Sequence, residues 1–338
     1  MPKTFTDLAR HALNGPTMGT RWSALFHAPA DFDPEPLRDA VTAAVDEVDR
    51  QMSIWKPDSD INRLSAAPPD TWVDLPPALM KVLAAGLSIG RATDGAFDIG
   101  MGDAVSAWGF GPTNADPGRI RAARERCRLP AHDVLELDCQ HSRARKHAPM
   151  QFDLNGIAKG HGVDRLTDTV RAFGVDNALL AIDGELRAIG NQPDKSPWIV
   201  AVESPDPERR AAHSVLELTD MAVATSGDYR HWVQVGERRL SHTMDPQRGM
   251  PLSNSPASVT VLAGDCMNAD AWATAMMVLG EGKGRKVAEA IGLSVLYLRR
   301  DRPGGVGTGY FQEVDERVGS NGCPLQMTGE GFGSCQRD

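Results

Sequence analysis

No apolar run in this sequence approaches the ~20 residues that a helix needs to cross a bilayer, so nothing marks a membrane span. Cysteine is scarce. Cys127, Cys139, Cys266, Cys323 and Cys335 are far apart and odd in number. No CxxC pair or Cys/His cluster occurs, which argues against a zinc site and against a disulfide framework. Internal repeats and low-complexity blocks are absent, and neither GxGxxG nor GxxxxGK[ST] is found. Positive charge is in the minority, with 36 Lys and Arg against 45 Asp and Glu, a net charge of −9. Binding along a nucleic-acid backbone wants a basic face, so no nucleic-acid partner is expected. Met1 to Gly15 holds Asp7, Arg10 and His11 and lacks an apolar centre. It reads as neither a signal peptide nor a lipid-anchored segment, which points to the cytoplasm, or to the periplasm if an export signal has been trimmed. The remaining composition is ordinary for a globular protein: 338 residues, 41% hydrophobic and 24% charged. That is enough for a sizeable core and for one large domain or two.

Residues 1–14 read as a flexible leader, 15–300 as the folded unit, and 301–338, rich in Gly and polar residues, as a partly disordered tail. Thr20 to Phe26 is expected to be a strand. Pro36 should open a helix whose buried face carries Leu37, Val41, Val45, Val48 and Met52, with Pro57 stopping it. A second helix is expected from about Pro77 to Thr93 and a third from Ile157 to Phe173. Strands are expected at Ala178 to Ile182, Trp198 to Val202, Ser258 to Leu262 and Ser294 to Arg299, and a helix at Ala269 to Leu279. Helices and strands are mixed without strict alternation, so the fold class is α+β.

Four stretches carry more chemistry than a scaffold requires. Gly95-Ala-Phe-Asp98 and Trp108-Gly-Phe-Gly111 set aromatic rings among glycines, which suits either a planar ligand or a tight turn with core aromatics. Asp153 to Gly160 leads straight into a helix, and free N–H groups at a helix start attract phosphate, with Lys159 adding a cation. His242 stands among hydroxyls and beside Asp245; it reads as a general base or as a satisfied structural residue. Asp270 and Thr274 are i and i+4 on a helix, so their oxygens share one face, as a hard cation such as Mg²⁺ prefers.

Taken in order, these stretches resemble the FAD:protein FMN transferases, the ApbE family. The resemblance covers about Gly15 to Leu298. It also includes Pro16-Thr-Met-Gly-Thr20, Met52-Ser-Ile-Trp-Lys-Pro57, Gly184-Glu-Leu-Arg187, Thr225-Ser-Gly-Asp228 and Ser241-His-Thr-Met-Asp-Pro246. It implies a T-fold-like α+β catalytic core with an inserted α/β subdomain. It implies an enzyme that takes FAD as substrate and Mg²⁺ as cofactor, transfers FMN to a threonine hydroxyl of an acceptor flavoprotein, and releases AMP. An FAD pyrophosphatase giving FMN and AMP, or a non-catalytic FAD-binding protein, are the alternatives.

By the same resemblance Met18, Trp55, Ala96, Phe97, Asp98, Asp153, Lys159 and Met244 match FAD-contacting positions. Trp55 stands where the family often has tyrosine, and Met244 where it often has isoleucine. Asp270 and Thr274 match the metal-binding side chains, while Gly156 and Ala273 match positions that offer backbone carbonyls to the metal. His242 is the matched general base, Asp245 a group to orient it, and Asp228 a second candidate for the base. Asp183 occupies a position where relatives often have glycine.

Overall fold

The structure is a computed structural model that describes residues 8–205, 211–228, 232–235, 238–252, 256–300 and 306–311. Its centre is an eight-stranded sheet in which strand order follows chain order and every neighbouring pair is antiparallel. The strands are β1 (Leu8–Thr17), β2 (Thr20–Pro29), β3 (Ala178–Ile182), β4 (Glu185–Ile189), β5 (Ala222–Gly227), β6 (Ser258–Ala263), β7 (Ser294–Arg300) and β8 (Val306–Phe311). The long helices are α1 (Glu35–Met52), α2 (Pro77–Ala92), α3 (Ala158–Ala172) and α4 (Cys266–Ile291). This is the expected α+β class.

Two apolar layers sandwich the sheet, because its strands alternate. Trp22, Ala24 and Phe26 of β2 and Leu180 and Ile182 of β3 enter the main core. That core also receives the buried faces of α1, α3 and α4. Leu25, Leu179, Leu186 and Val223 face the other way and pack under a hairpin built from Trp198–Glu203 and Ala212–Leu218. Strand β6, SVTVLA, is covered from both sides and is therefore apolar with little alternation. Helix α1 buries the predicted stripe from Leu37 to Met52. It ends at Met52, ahead of Pro57. Helix α4 starts three residues earlier than the sequence pattern indicated and runs past Leu279, bending at Gly280, whose φ of +66° breaks the helical path.

Both proposed boundaries of the folded unit move outward. Residues 8–14, expected as leader, form most of β1 and pair along its length with β2. Alternation is what places them there: Leu13 and Gly15 are buried while their neighbours face solvent. Strand β8 extends the sheet beyond residue 300 by pairing with β7. The rest of the tail, with Cys323 and Cys335, lies outside the described residues. Among the described residues, no helix is long and apolar enough to cross a membrane.

One core residue couples stability to pH. His161 on α3 is 3% exposed, and neither ring nitrogen has a hydrogen-bond partner. Burial, aided by Lys81 and Arg165, lowers its pKa from 6.5 to about 4. Above about pH 6.5 the imidazole is neutral in both folded and unfolded chains. Below it the unfolded chain takes up a proton that the folded one refuses, so stability falls as pH falls from about 6.5 toward 4. Between pH 7 and pH 5 this group alone should cost about 2 kcal/mol. Urea unfolding of the parent and of His161→Leu at both pH values checks it; the variant should lose markedly less stability on acidification.

Candidate functional site

A cleft of about 1150 Å³ opens at one end of the central sheet. The loops β1–β2 and β3–β4, the end of β5, the start of α3, the first turns of α4 and the 198–218 hairpin all contribute to its wall. The β1–β2 loop has only two residues, Met18 at φ +46° and Gly19 at φ +71°. Two successive left-handed residues match the right-handed twist of flanking strands, and a non-glycine residue in that region is a strained choice. Here it turns the Met18 side chain into the cleft, where its methyl group packs near Gly162. Asp183, at φ +54°, opens the equally short β3–β4 loop. Aspartate tolerates this conformation better than most residues do.

Trp55 is 60% exposed at the cleft wall, an uncovered aromatic face at its mouth. Ala96, Phe97 and Asp98 line the opposite part, beside Phe110. Asp98 also holds its own loop: one oxygen accepts from the N–H groups of Gly100 at 2.8 Å and Ala131 at 3.1 Å. Burial raises its pKa, opposed by those two bonds. Asp153 accepts from the backbone and side-chain amides of Asn155 at 2.9 and 3.0 Å, and burial lifts its pKa to about 6. Trp108, by contrast, is a strut: it is buried and its indole N–H donates to the Gly249 carbonyl at 3.0 Å.

The floor of the cleft is a charge cluster. The Lys159 ammonium donates to both oxygens of Glu185, at 2.9 and 2.8 Å, and lies 3.7 Å from Asp183. Asp270 is 4% exposed and accepts from the Gly160 N–H at 3.0 Å. Burial raises the Asp270 carboxyl to about 6 against the pull of Lys159, and it raises Glu185 as well. Burial also works against the charge on Lys159, but Glu185, Asp270 and Asp183 outweigh it and hold its pKa above the ordinary range. Asp270 and Glu185 are both buried beside this ammonium, and a bound dication would lower the cost of keeping both carboxyls ionised.

The oxygen set fits such an ion. Thr274 lines the cleft one turn beyond Asp270, with its hydroxyl 3.3 Å from that of Ser226. A Cβ added at Gly156 would come within 2.9 Å of the Thr274 hydroxyl, so only glycine lets this backbone approach so closely. Carboxylate, hydroxyl and backbone carbonyl are the hard donors that Mg²⁺ prefers. Among the described residues no group of three His, Cys, Asp or Glu side chains is arranged to hold a metal, so neutral oxygens would have to complete the set.

Family comparison agrees with this geometry. The profile of the ApbE family matches residues 18–297. The chain belongs to the ApbE family. A FAD:protein FMN transferase of Vibrio cholerae is 35% identical over 289 residues, covering 85% of this chain and 86% of the relative. The protein of the same name from Escherichia coli K12 is 30% identical over 294 residues, covering 86% and 84%. Among solved structures, the flavin transferase ApbE from Vibrio cholerae superposes with a TM-score of 0.79 at 32% identity, covering 89% of this chain and 97% of its own. The apo form of the Pseudomonas stutzeri flavinyl transferase ApbE gives 0.80 at 36% identity, covering 93% and 98%.

Against this ApbE frame, the structure brings Met18, Trp55, Ala96, Phe97, Asp98, Asp153, Gly156, Lys159, His242, Met244, Asp270 and Thr274 onto one cleft. The side chains of three other expected residues do not line it. Asp245 caps the turn after its short strand, accepting from the N–H groups of Gln247 at 3.0 Å and Arg248 at 3.2 Å. Asp228 lies just past β5, its N–H bonded to the Ala257 carbonyl. The Ala273 side chain is wholly buried in the core, which leaves its expected role, a backbone carbonyl beside Thr274, unaffected. Conversely, Glu185 and Ser226 reach the cleft with no role read from the sequence. The Gly184-Glu-Leu-Arg187 motif was visible, but its pairing with a lysine 26 positions earlier was not.

A second layer fixes Asp270. Asp164 of α3 accepts from the N–H groups of Cys266 and Met267 at the head of α4, both at 2.9 Å, and is held by Arg187 at 2.5 Å. Asp265 caps the same helix by accepting from the Asn268 N–H. Gly160 lets α3 and α4 touch: a Cβ there would lie 2.2 Å from the Cys266 carbonyl oxygen and 2.7 Å from the Asp270 Cβ. Gly160→Ala should therefore force the helices apart and lower stability by about 1–3 kcal/mol. Thermal melting measures the loss, and divalent-metal titration of the folded fraction should show weaker binding.

Proposed function

We propose that this chain transfers FMN from FAD to a protein acceptor, with Mg²⁺ at Asp270, Thr274 and the Gly156 and Ala273 carbonyls, and a threonine hydroxyl as the acceptor group. The observation that carries this reading is the buried Asp270 carboxylate with the Thr274 hydroxyl one turn beyond it, sharing one cleft with Lys159 and His242 in an ApbE-family chain. Trp55 offers an exposed aromatic face for an isoalloxazine ring, while Met18 and the edge of the core-packed Phe97 line the same cleft. Mg²⁺ bound at this site would neutralise pyrophosphate oxygens. Lys159, at the start of α3 and paired with Glu185, lines the same cleft and would add an N–H donor beside them. His242, half-buried on the wall, takes the hydroxyl proton as the threonine oxygen bonds to the FMN phosphorus. The phosphorus–oxygen bond to the AMP half breaks, and AMP departs with the bonding pair.

The test is to incubate the protein with FAD and Mg²⁺, with and without an acceptor fragment, and to follow AMP together with flavin that stays on the denatured acceptor. AMP and covalent flavin should rise together only when the acceptor is present. AMP and free FMN without acceptor would make the protein a pyrophosphatase, and no AMP under either condition would make it a binding protein. FAD should also bind more tightly than FMN or riboflavin in a fluorescence titration, because the cleft grips the pyrophosphate as well. Equal affinity for all three would remove that part of the reading.

A further inference from the structure

Glu185 is the most heavily committed side chain in the cleft that the proposed reaction does not use. It is 3% exposed and stands at the first position of β4. Both of its oxygens are bonded to the Lys159 ammonium. A buried carboxylate is costly unless paired, and so is an ammonium, so neither group is idle there. Asp183 lies 3.7 Å from the same ammonium, and the Asp270 carboxylate also helps to hold the lysine protonated. Lysine carries its charge on a flexible four-carbon arm and will swing to whichever carboxylate is available. Without Glu185, the carboxylates left to it are Asp183 and, across the cleft floor, Asp270.

We infer that Glu185 is a positioning residue that sequesters the Lys159 ammonium and so keeps Asp270 available to a divalent cation. It rests on the reading of Asp270 as a metal ligand given above. The two-residue β3–β4 loop supports the same role. Asp183 and Glu185 flank Gly184 on this tight turn, with Asp183 3.7 Å from the same ammonium, so the turn presents two carboxylates to Lys159 from the side of β4. Asp270 approaches from α4, tied there by the Gly160 N–H. The lysine is thereby held on the sheet side of the cleft, while the cation's oxygens come from the helix side.

The experiment is calorimetric titration of the FAD-free protein with Mn²⁺, a spectroscopically convenient stand-in for Mg²⁺, in the parent, Glu185→Gln, Glu185→Asp and the double variant Glu185→Gln/Lys159→Gln. Glu185→Gln should weaken Mn²⁺ binding about tenfold or more, because Lys159 now competes for Asp270. The double variant, which removes the ammonium as well, should restore parent-like affinity, and Glu185→Asp, which keeps the charge, should stay close to the parent. A crystal structure of metal-free Glu185→Gln should show the Lys159 ammonium bonded to Asp270. Parent-like Mn²⁺ affinity in Glu185→Gln, or a Lys159 that stays away from Asp270 in that structure, would overturn the inference. The double variant is the neutral pair and guards against a folding failure of the single one; weak binding in the double variant would also count against it. Asp270→Asn serves as the separate control. If it binds Mn²⁺ like the parent, the metal site itself is misassigned, whereas loss of binding there with no change in Glu185→Gln sinks only the role of Glu185.

Discussion

Asp270→Asn should lower FMN transfer by roughly 10³-fold, the several kcal/mol that a bound metal commonly contributes to a phosphoryl transition state. Asparagine keeps an oxygen for the Gly160 N–H, so the contact between α3 and α4 survives and the change isolates the charge. Mn²⁺ titration should show metal binding lost. The metal-free variant should melt at the same temperature as the parent or higher. The reason is the sign of the shift: the folded-state pKa of Asp270, about 6, lies above the ordinary carboxylate value of 3.8, so its ionised form destabilises the metal-free fold at neutral pH. Metal-dependent transfer near the parent rate in a variant that melts normally would remove Asp270 from the metal site.

His242→Ala should bind FAD with near-parent affinity, since in the proposed reading binding rests on Met18, Trp55, Asp98 and Lys159, while single-turnover transfer to a threonine-bearing acceptor fragment falls by roughly 10²–10⁴-fold. A histidine that only packs would behave otherwise, lowering melting temperature and FAD affinity together. The structure weakens one supporting idea, because the Asp245 carboxylate is engaged by Gln247 and Arg248 in its own turn. Asp245→Asn should therefore disturb the local turn more than the chemistry. If His242→Ala transfers at the parent rate, Asp228 is the next group to replace.

Local features carried most of the fold. The α1 stripe, the α2 and α3 helices and strands β2, β3, β6 and β7 were legible because each buries one face or both, and the burial writes a period of 3.6 or 2 into the sequence. The first strand was missed for a matching reason. Its sequence, LARHALNGPT, has only small or polar residues on its outer face and few large ones inside, so its alternation becomes visible only when β2 is beside it. The 198–218 hairpin was read as one strand because its second half, AHSVLEL, is mostly polar, and its apolar residues make sense only against the far face of the sheet.

The sequence by itself determined which residues could do chemistry. The i, i+4 spacing of Asp270 and Thr274 puts their oxygens on one helix face whatever surrounds them, and the glycines among Phe97, Trp108 and Phe110 mark loops, two of whose rings the fold uses as core. Membership in the ApbE family follows from motifs spread along the chain. Only the tertiary structure decided partners. Lys159 and Glu185 are 26 residues apart and meet because α3 docks across β4. Gly156 reaches Thr274 because two distant segments touch there. Asp245, next but two to His242 in sequence, turns to its own backbone because a carboxylate satisfies the nearest free N–H groups first. Spacing along a helix or strand is fixed by covalent geometry and can be counted; which charges neutralise one another depends on how far burial removes them from water, and that is set only once the sheet, the helices and the hairpin have closed around the cleft.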